Sequence, residues 1–199
     1  MLILRSSPAS PFGRKVKIAA HVLGLIDRIE IVTADTTNPA DSLRVQNPLG
    51  KIPALILENG GVIYDSRVIV DYLDHLAGGD RLIPADPARR YPALVMQALA
   101  DGIMDASLLQ VYEGRWREEA MRNQGWLAHH ADKVTRGLAA LETADLGGPI
   151  DIGHITVACA LGYLDLRFPG LWRETHPGLV GWLDGFAARV PAFDKTRPT

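Results

Sequence analysis

The chain has 199 residues with 21 Lys and Arg against 23 Asp and Glu, a formal charge of −2, and it is 47% hydrophobic and 22% charged. That balance excludes a mainly disordered state and predicts a substantial core in one domain or two small ones. The basic residues are scattered rather than gathered into a broad cationic face, which argues against nucleic acid as a partner.

Leu2, Ile3 and Leu4 predict a buried first strand. Arg5 follows at once, so this start lacks the charged-then-apolar layout of a secretory signal, and the expected compartment is the cytoplasm. Ser10-Pro11 opens a helix whose apolar positions Phe12, Val16, Ala19, Ala20 and Leu23 recur at three and four residues until Gly24 ends it. Ile29, Ile31 and Val32 predict a second strand, and the polar stretch 33–47 has room for one helical turn. Pro53 to Leu57 and Val62 to Tyr64, joined across Gly60-Gly61, predict an antiparallel hairpin. Ser66 to Leu76 then carries Val68, Ile69, Tyr72, Leu73 and Leu76 at helical spacing.

Ala77-Gly78-Gly79-Asp80, with Pro84 and Pro87 close behind, breaks the pattern, so a boundary is expected between 77 and 87: an N-terminal domain over 1–80 and a helical one over 84–199. Helices are expected from Tyr91 to about Glu119, Gln124 to Glu142, Ile155 to Leu166 and Leu179 to Val190. The stretch Ile155 to Leu164 is the most apolar, yet it is about half the length a membrane helix needs and is interrupted by Thr156 and Gly162; no membrane span is expected. Cys159 is the only cysteine, which excludes an internal disulfide and any Cys-x-x-Cys redox chemistry.

The β-α-β-β-β-α order, a small residue plus proline at the start of the first helix, and a proline at the start of the third strand are the layout of a thioredoxin-like fold. With those elements in place, the chain resembles the glutathione S-transferase family. The resemblance is carried by Ser10-Pro11-Phe12-x-Arg14-Lys15-Val16, by Asn47-Pro48-Leu49-Gly50-Lys51-Ile52-Pro53 and by Asp65-Ser66, followed by an all-helical second half. The stretch Ala98 to Ala106 is similar to a small bacterial branch of the family. The resemblance implies the family architecture, an α+β thioredoxin-like domain followed by an all-α domain. It also implies glutathione as cosubstrate, a small electrophile as second substrate, and a homodimer.

Each motif has a local reading and a ligand reading. Ser10 suits an N-cap ahead of Pro11; the resemblance implies instead a hydroxyl that donates to the glutathione sulfur at a helix N-terminus that favours thiolate, with Ser7 as the alternative. Phe12 belongs to the same turn and is assigned to the glutathione side of the site. Pro53 is an ordinary strand-start proline or, as the resemblance implies, a cis proline that turns the Ile52 backbone outward to pair with the peptide, as in strand addition. Lys51 either reaches the glycyl carboxylate or is solvated. Asp65-Ser66 caps the helix after the hairpin or, as the resemblance implies, holds the γ-glutamyl end, Ser66 on its carboxylate and Asp65 on its ammonium. The electrophile pocket is expected at Ala9, Met104, Leu108 and Tyr112.

Other constellations carry less. A phosphate loop at Gly50-Lys51 needs Gly at 45 and Ser or Thr at 52, where Val45 and Ile52 stand. His129, His130, His154 and His176 fit no zinc spacing and are expected as surface or capping residues, so no metal is expected. At the start of the helix around Cys159, Asp151-Ile152-Gly153-His154 replaces the family's capping acid with an imidazole, which predicts a weaker helix start that His154→Asp would strengthen. The expectation is therefore a glutathione transferase with a detoxifying role. A regulatory or interaction protein on the same scaffold and a glutathione-dependent peroxidase or dehalogenase are the competing readings.

Overall fold

The computed structural model describes residues 1–198. Strand β1 (Leu2–Ser6) is followed by helix α1 (Pro11–Val22) and by β2 (Ile29–Thr33), which lies parallel to β1 with Leu4 opposite Ile31. A single turn, α2 (Leu43–Gln46), fills the loop before β3 (Ala54–Ile56), which runs antiparallel to β1 with Leu4 opposite Leu55. β4 (Val62–Ile63) returns antiparallel to β3, and Gly60 supplies the positive φ of 81° that its turn requires. The sheet order is β2-β1-β3-β4, with α3 (Ser66–Leu76) closing the unit. Helices α1 and α3 pack together over the sheet, where Val16, Ala19, Ile69 and Leu73 join Leu4 and Leu55 in one buried cluster.

The loop 34–47 has little apolar surface to hold it and is tied down by charge instead. Arg5 is buried and donates to Asp41 at 2.7 Å, to Ser42 Oγ at 2.8 Å and to Gln46 at 2.7 Å. The crossing to the second half is fixed by Asp74, whose carboxylate accepts the Leu82 N–H at 2.6 Å. Leu82 O in turn accepts the Ile152 N–H at 2.9 Å.

The second half is helical: α4 (Pro87–Trp116), α5 (Gln124–Glu142), α6 (Ile152–Arg167), α7 (Pro177–Arg189) and the short α8 (Ala192–Lys195). Helix α4 starts earlier than its apolar period at Tyr91 suggests, because Asp86 caps the Ala88 N–H at 3.1 Å and Pro87 occupies the first turn. Among the described residues α4, not the α6 segment, is the helix long and apolar enough to cross a bilayer by length and composition; here one side of it packs along α5 and α6, and 39% of its apolar stretch is buried. α6 is buried on nearly every side, from Ile152 to Leu161, and forms the centre of this half.

Arg14 of the first motif has a structural duty. It is buried, donates to Phe193 O at 2.6 Å and lies 4.1 Å over the Phe193 ring, so α1 clamps the C-terminal segment. Gly162 permits this approach, since a Cβ there would stand 2.4 Å from the Arg14 guanidinium.

Two histidine expectations are corrected. His130 is neither surface nor cap: it is buried against Trp126, with ring centroids 4.2 Å apart. His154 does not weaken its helix. Its Nδ1 stands 2.7 Å from Asp151 Oδ1 and its Nε2 3.1 Å from Gly147 O, while Asp151 accepts the His154 N–H at 3.1 Å. Burial opposes charge on the imidazole, but the Asp151 hydrogen bond, the Asp151 charge and the Gly147 carbonyl outweigh it and raise its pKa. The protonated form that the raised pKa favours donates to both partners at once, so below the folded pKa the capping pair is an ion pair that a carboxylate at 154 would replace with two like charges.

Candidate functional site

A cleft of about 790 Å³ opens between the two halves. The N-terminal half contributes the turn before α1, the loop before β3 and the start of α3; the helical half contributes one face of α4 and the C-terminal end of α6.

Of the residues singled out in the sequence, Ser7, Ala9, Ser10, Phe12, Lys51, Ile52, Pro53, Asp65, Ser66, Leu108 and Tyr112 all line this one cleft. Met104 does not. It is wholly buried in the core beside the stripe of α4 that lines the cleft, so its assignment to the electrophile pocket is withdrawn.

Ser10 is the N-cap of α1, and its Oγ accepts the Gly13 N–H at 3.1 Å. A hydroxyl that accepts still has its own proton to give, so the cap orients Oγ without consuming the donor. Gly13 makes the turn tight enough, because a Cβ there would meet Ser6 Oγ at 2.1 Å. Pro11 has no N–H and Ser10 takes that of Gly13, which leaves the Phe12 N–H as the open donor of the first turn. Ser7 lines the same cleft, and its carbonyl accepts the Ser10 N–H at 3.2 Å.

The loop before β3 is ordered by buried Asn47, whose amide donates to Lys51 O at 2.8 Å and whose oxygen accepts the Leu49 N–H at 3.0 Å. The Ile52–Pro53 peptide bond is cis, and so is Tyr64–Asp65 ahead of α3. Asp65 caps α3 by accepting the Arg67 N–H at 2.9 Å, and Ser66 is buried behind it at the cleft wall.

Below these groups lies an ion network whose pairing the sequence does not show, although Lys15 stands in the first motif and Asp101 in the stretch Ala98 to Ala106. Asp101 of α4 accepts from Lys15 of α1 at 2.7 Å and from Arg67 of α3 at 2.8 Å; Lys15 and Asp101 are both buried. One carboxylate thus joins three helices at the floor of the cleft. One turn further along α4, burial and then the charge of Asp101 push the Asp105 carboxyl above its ordinary value. Cys159 lies in the interior, where burial pushes its thiol up to about 11, so it is no competing nucleophile. Among the described residues no three His, Cys, Asp or Glu side chains gather as a metal site.

Residues 4–81 match the model of the glutathione S-transferase N-terminal domain and residues 124–185 that of the C-terminal domain. The uncharacterized GST-like protein YibF of Escherichia coli K12 is 33% identical over 202 residues, covering 98% of each chain. The chain belongs to the glutathione S-transferase family. Among solved structures, this chain superposes on a glutathione transferase family member from Pseudomonas fluorescens Pf-5 with bound glutathione, at 46% identity, full coverage of both chains and a TM-score of 0.94. A second crystal structure from that source, with S-(propanoic acid)-glutathione bound, gives a TM-score of 0.90 at the same identity and coverage. A glutathione S-transferase from Methylobacillus flagellatus KT with glutathione bound is 35% identical with full coverage of both chains and a TM-score of 0.92. The N-terminal thioredoxin-like fold and helical C-terminal half implied by the sequence resemblance are therefore the architecture of this chain.

Proposed function

We propose that this protein is a glutathione transferase in which residues 1–80 hold glutathione and residues 84–199 hold a small electrophile. The observation that carries the reading is the single cleft shared by Ser10, Ile52-Pro53, Asp65-Ser66 and the α4 face. Ser66 and the N-terminus of α3 bind the γ-glutamyl carboxylate and Asp65 its ammonium, the Ile52 backbone pairs with the cysteinyl residue, and Lys51 meets the glycyl carboxylate. The Ser10 O–H, with the α1 N-terminus behind it, donates to the sulfur and favours the thiolate. The sulfur lone pair then forms a C–S bond as the bond to a leaving group breaks, or as a C=C pair shifts and takes up a proton. The glutathione complexes of the Pseudomonas and Methylobacillus relatives support the first half of this reading, and the S-(propanoic acid)-glutathione complex supports a thioether product.

The chemistry needs reduced glutathione, which suits a cytoplasmic, detoxifying enzyme. Exposed Val68 on α3 and Tyr91 and Val95 on α4 favour a homodimer, which light scattering after gel filtration measures directly. Retention on glutathione-agarose followed by conjugation assays over an electrophile panel tests the function. Binding with turnover supports it; binding without turnover would favour a regulatory protein, and absence of binding would end the proposal.

A further inference from the structure

The cleft face of α4 changes chemistry along its length. Asp101 and Asp105 stand at the glutathione end, Leu108, Leu109 and Tyr112 follow, and Arg115 ends the row about 21 Å from Asp101 at 1.5 Å per residue. Across the cleft, Tyr163 and Arg167 of α6 repeat the last step, an aromatic ring followed one turn later by a guanidinium. Each arginine lies over its tyrosine, Arg115 5.2 Å from the Tyr112 centroid and Arg167 5.9 Å from that of Tyr163.

The acids nearest in sequence are taken. Glu113 is held by Arg117 at 2.7 Å and by the Asn123 N–H at 2.8 Å. Asp165 is held two-pronged by Arg173, at 2.9 and 2.6 Å, and by the Trp172 indole at 2.9 Å. Among the described residues Arg115 and Arg167 have no ion pair, and Arg167 Nε is enclosed without a hydrogen-bond partner. Two cations without an acidic partner at the end of the cleft away from Ser10 are a feature that a neutral second substrate does not use.

We propose that the far end of the cleft is an anion subsite in which Arg115 and Arg167, backed by Tyr112 and Tyr163, take the carboxylate of an electrophile whose apolar or aromatic body lies along Leu108 and Leu109. This rests on the transferase reading above and narrows its substrate class. The planar guanidinium fork matches a carboxylate, and the tyrosine rings limit the water that competes for it. With its carboxylate held at this end, the electrophile lies along the α4 face with its other end, and so its reactive carbon, toward the sulfur.

The test compares three conjugates of equal body: S-(4-carboxybenzyl)glutathione, its neutral carboxamide analogue and S-benzylglutathione, each titrated calorimetrically into wild type and the Arg115→Gln/Arg167→Gln double variant, with free glutathione alongside. Wild type should prefer the carboxylate over the carboxamide by roughly ten- to a hundredfold, the range for one charged hydrogen-bonded partner. That preference should shrink as salt rises and vanish in the double variant, while glutathione affinity holds. Equal affinity of wild type for carboxylate and carboxamide overturns the subsite, as does a preference that survives in the double variant. Glutathione that fails to bind wild type would instead overturn the transferase reading and this inference with it.

Discussion

Asp101→Asn tests what fastens the two halves together. The carboxylate is 1% exposed, its partner Lys15 is fully buried, and their atoms are 2.7 Å apart, whereas the Arg67 side chain is half exposed. Asparagine keeps the volume and removes the charge, so Lys15 is left as an uncompensated buried ammonium. Breaking a buried pair from one side costs about 3–5 kcal/mol, whereas an exposed limb such as Arg67 is worth roughly 0–1 kcal/mol. Against a total stability of about 5–15 kcal/mol, the loss is large. Urea unfolding followed by tryptophan fluorescence should show Asp101→Asn strongly destabilised, Arg67→Ala nearly neutral, and Lys15→Met/Asp101→Leu recovering most of the loss, since it leaves no buried charge unpaired and only half-exposed Arg67 without its partner. If Asp101→Asn cost less than about 1 kcal/mol, or if Arg67→Ala cost as much, the buried Lys15 pair would not be what makes this residue matter.

His154→Asp should destabilise by about 1–2 kcal/mol, because it replaces an ion-paired cap with two facing carboxylates. The His154 pKa is raised, so its contribution is complete below about 6.5 and fades as pH rises through the folded value; Asp151 is lowered despite its burial by the His154 hydrogen bond and charge, so its contribution is present above about 3.9 and fades as pH falls through its folded value. The difference between wild type and variant in denaturant unfolding should therefore be largest between roughly pH 4 and 6.5. Arg14→Ala should cost about 2 kcal/mol and open residues 191–198 to limited proteolysis, since it removes both the hydrogen bond to Phe193 and the contact with its ring. Asp65→Ala and Ser66→Ala should each weaken glutathione binding roughly ten- to a hundredfold by calorimetry, with Asp65→Ala also erasing preference for the free γ-glutamyl amine over an N-acetylated analogue; unchanged affinity in both would move the γ-glutamyl site elsewhere.

Local chemistry made the N-terminal half legible. Ser10-Pro11 and Asp65-Ser66 start their helices at the residues where the caps form, and the hairpin forms where its glycines stand. The start of α4 was hidden because its apolar period begins after its cap at Asp86. Met104 shares helical spacing with Leu108 and Tyr112, but spacing alone cannot tell which flank of a stripe meets a cleft and which meets the neighbouring helix. His154 was misjudged because a capping rule framed around carboxylates overlooks an imidazolium that donates to two acceptors. Lys15 and Asp101 lie 86 residues apart, and nothing local in either segment announces the pair. Arg115 and Arg167 were invisible for the same reason: only the packing of α4 on α6 brings two helix ends to one cleft.

Whether Ser10 does more than cap α1 is read from an ultraviolet pH titration of bound glutathione. Wild type, Ser10→Ala and Ser7→Ala are titrated as glutathione complexes, with thiolate absorbance as the readout and calorimetric affinity alongside. Ser10→Ala should raise the pKa of the bound thiol and lower turnover at neutral pH while affinity changes little, and Ser7→Ala should leave the titration in place. A titration curve unchanged by Ser10→Ala, with only the roughly 1 kcal/mol stability loss of a missing cap, would contradict a role beyond the cap; a shift confined to Ser7→Ala would move the role to Ser7.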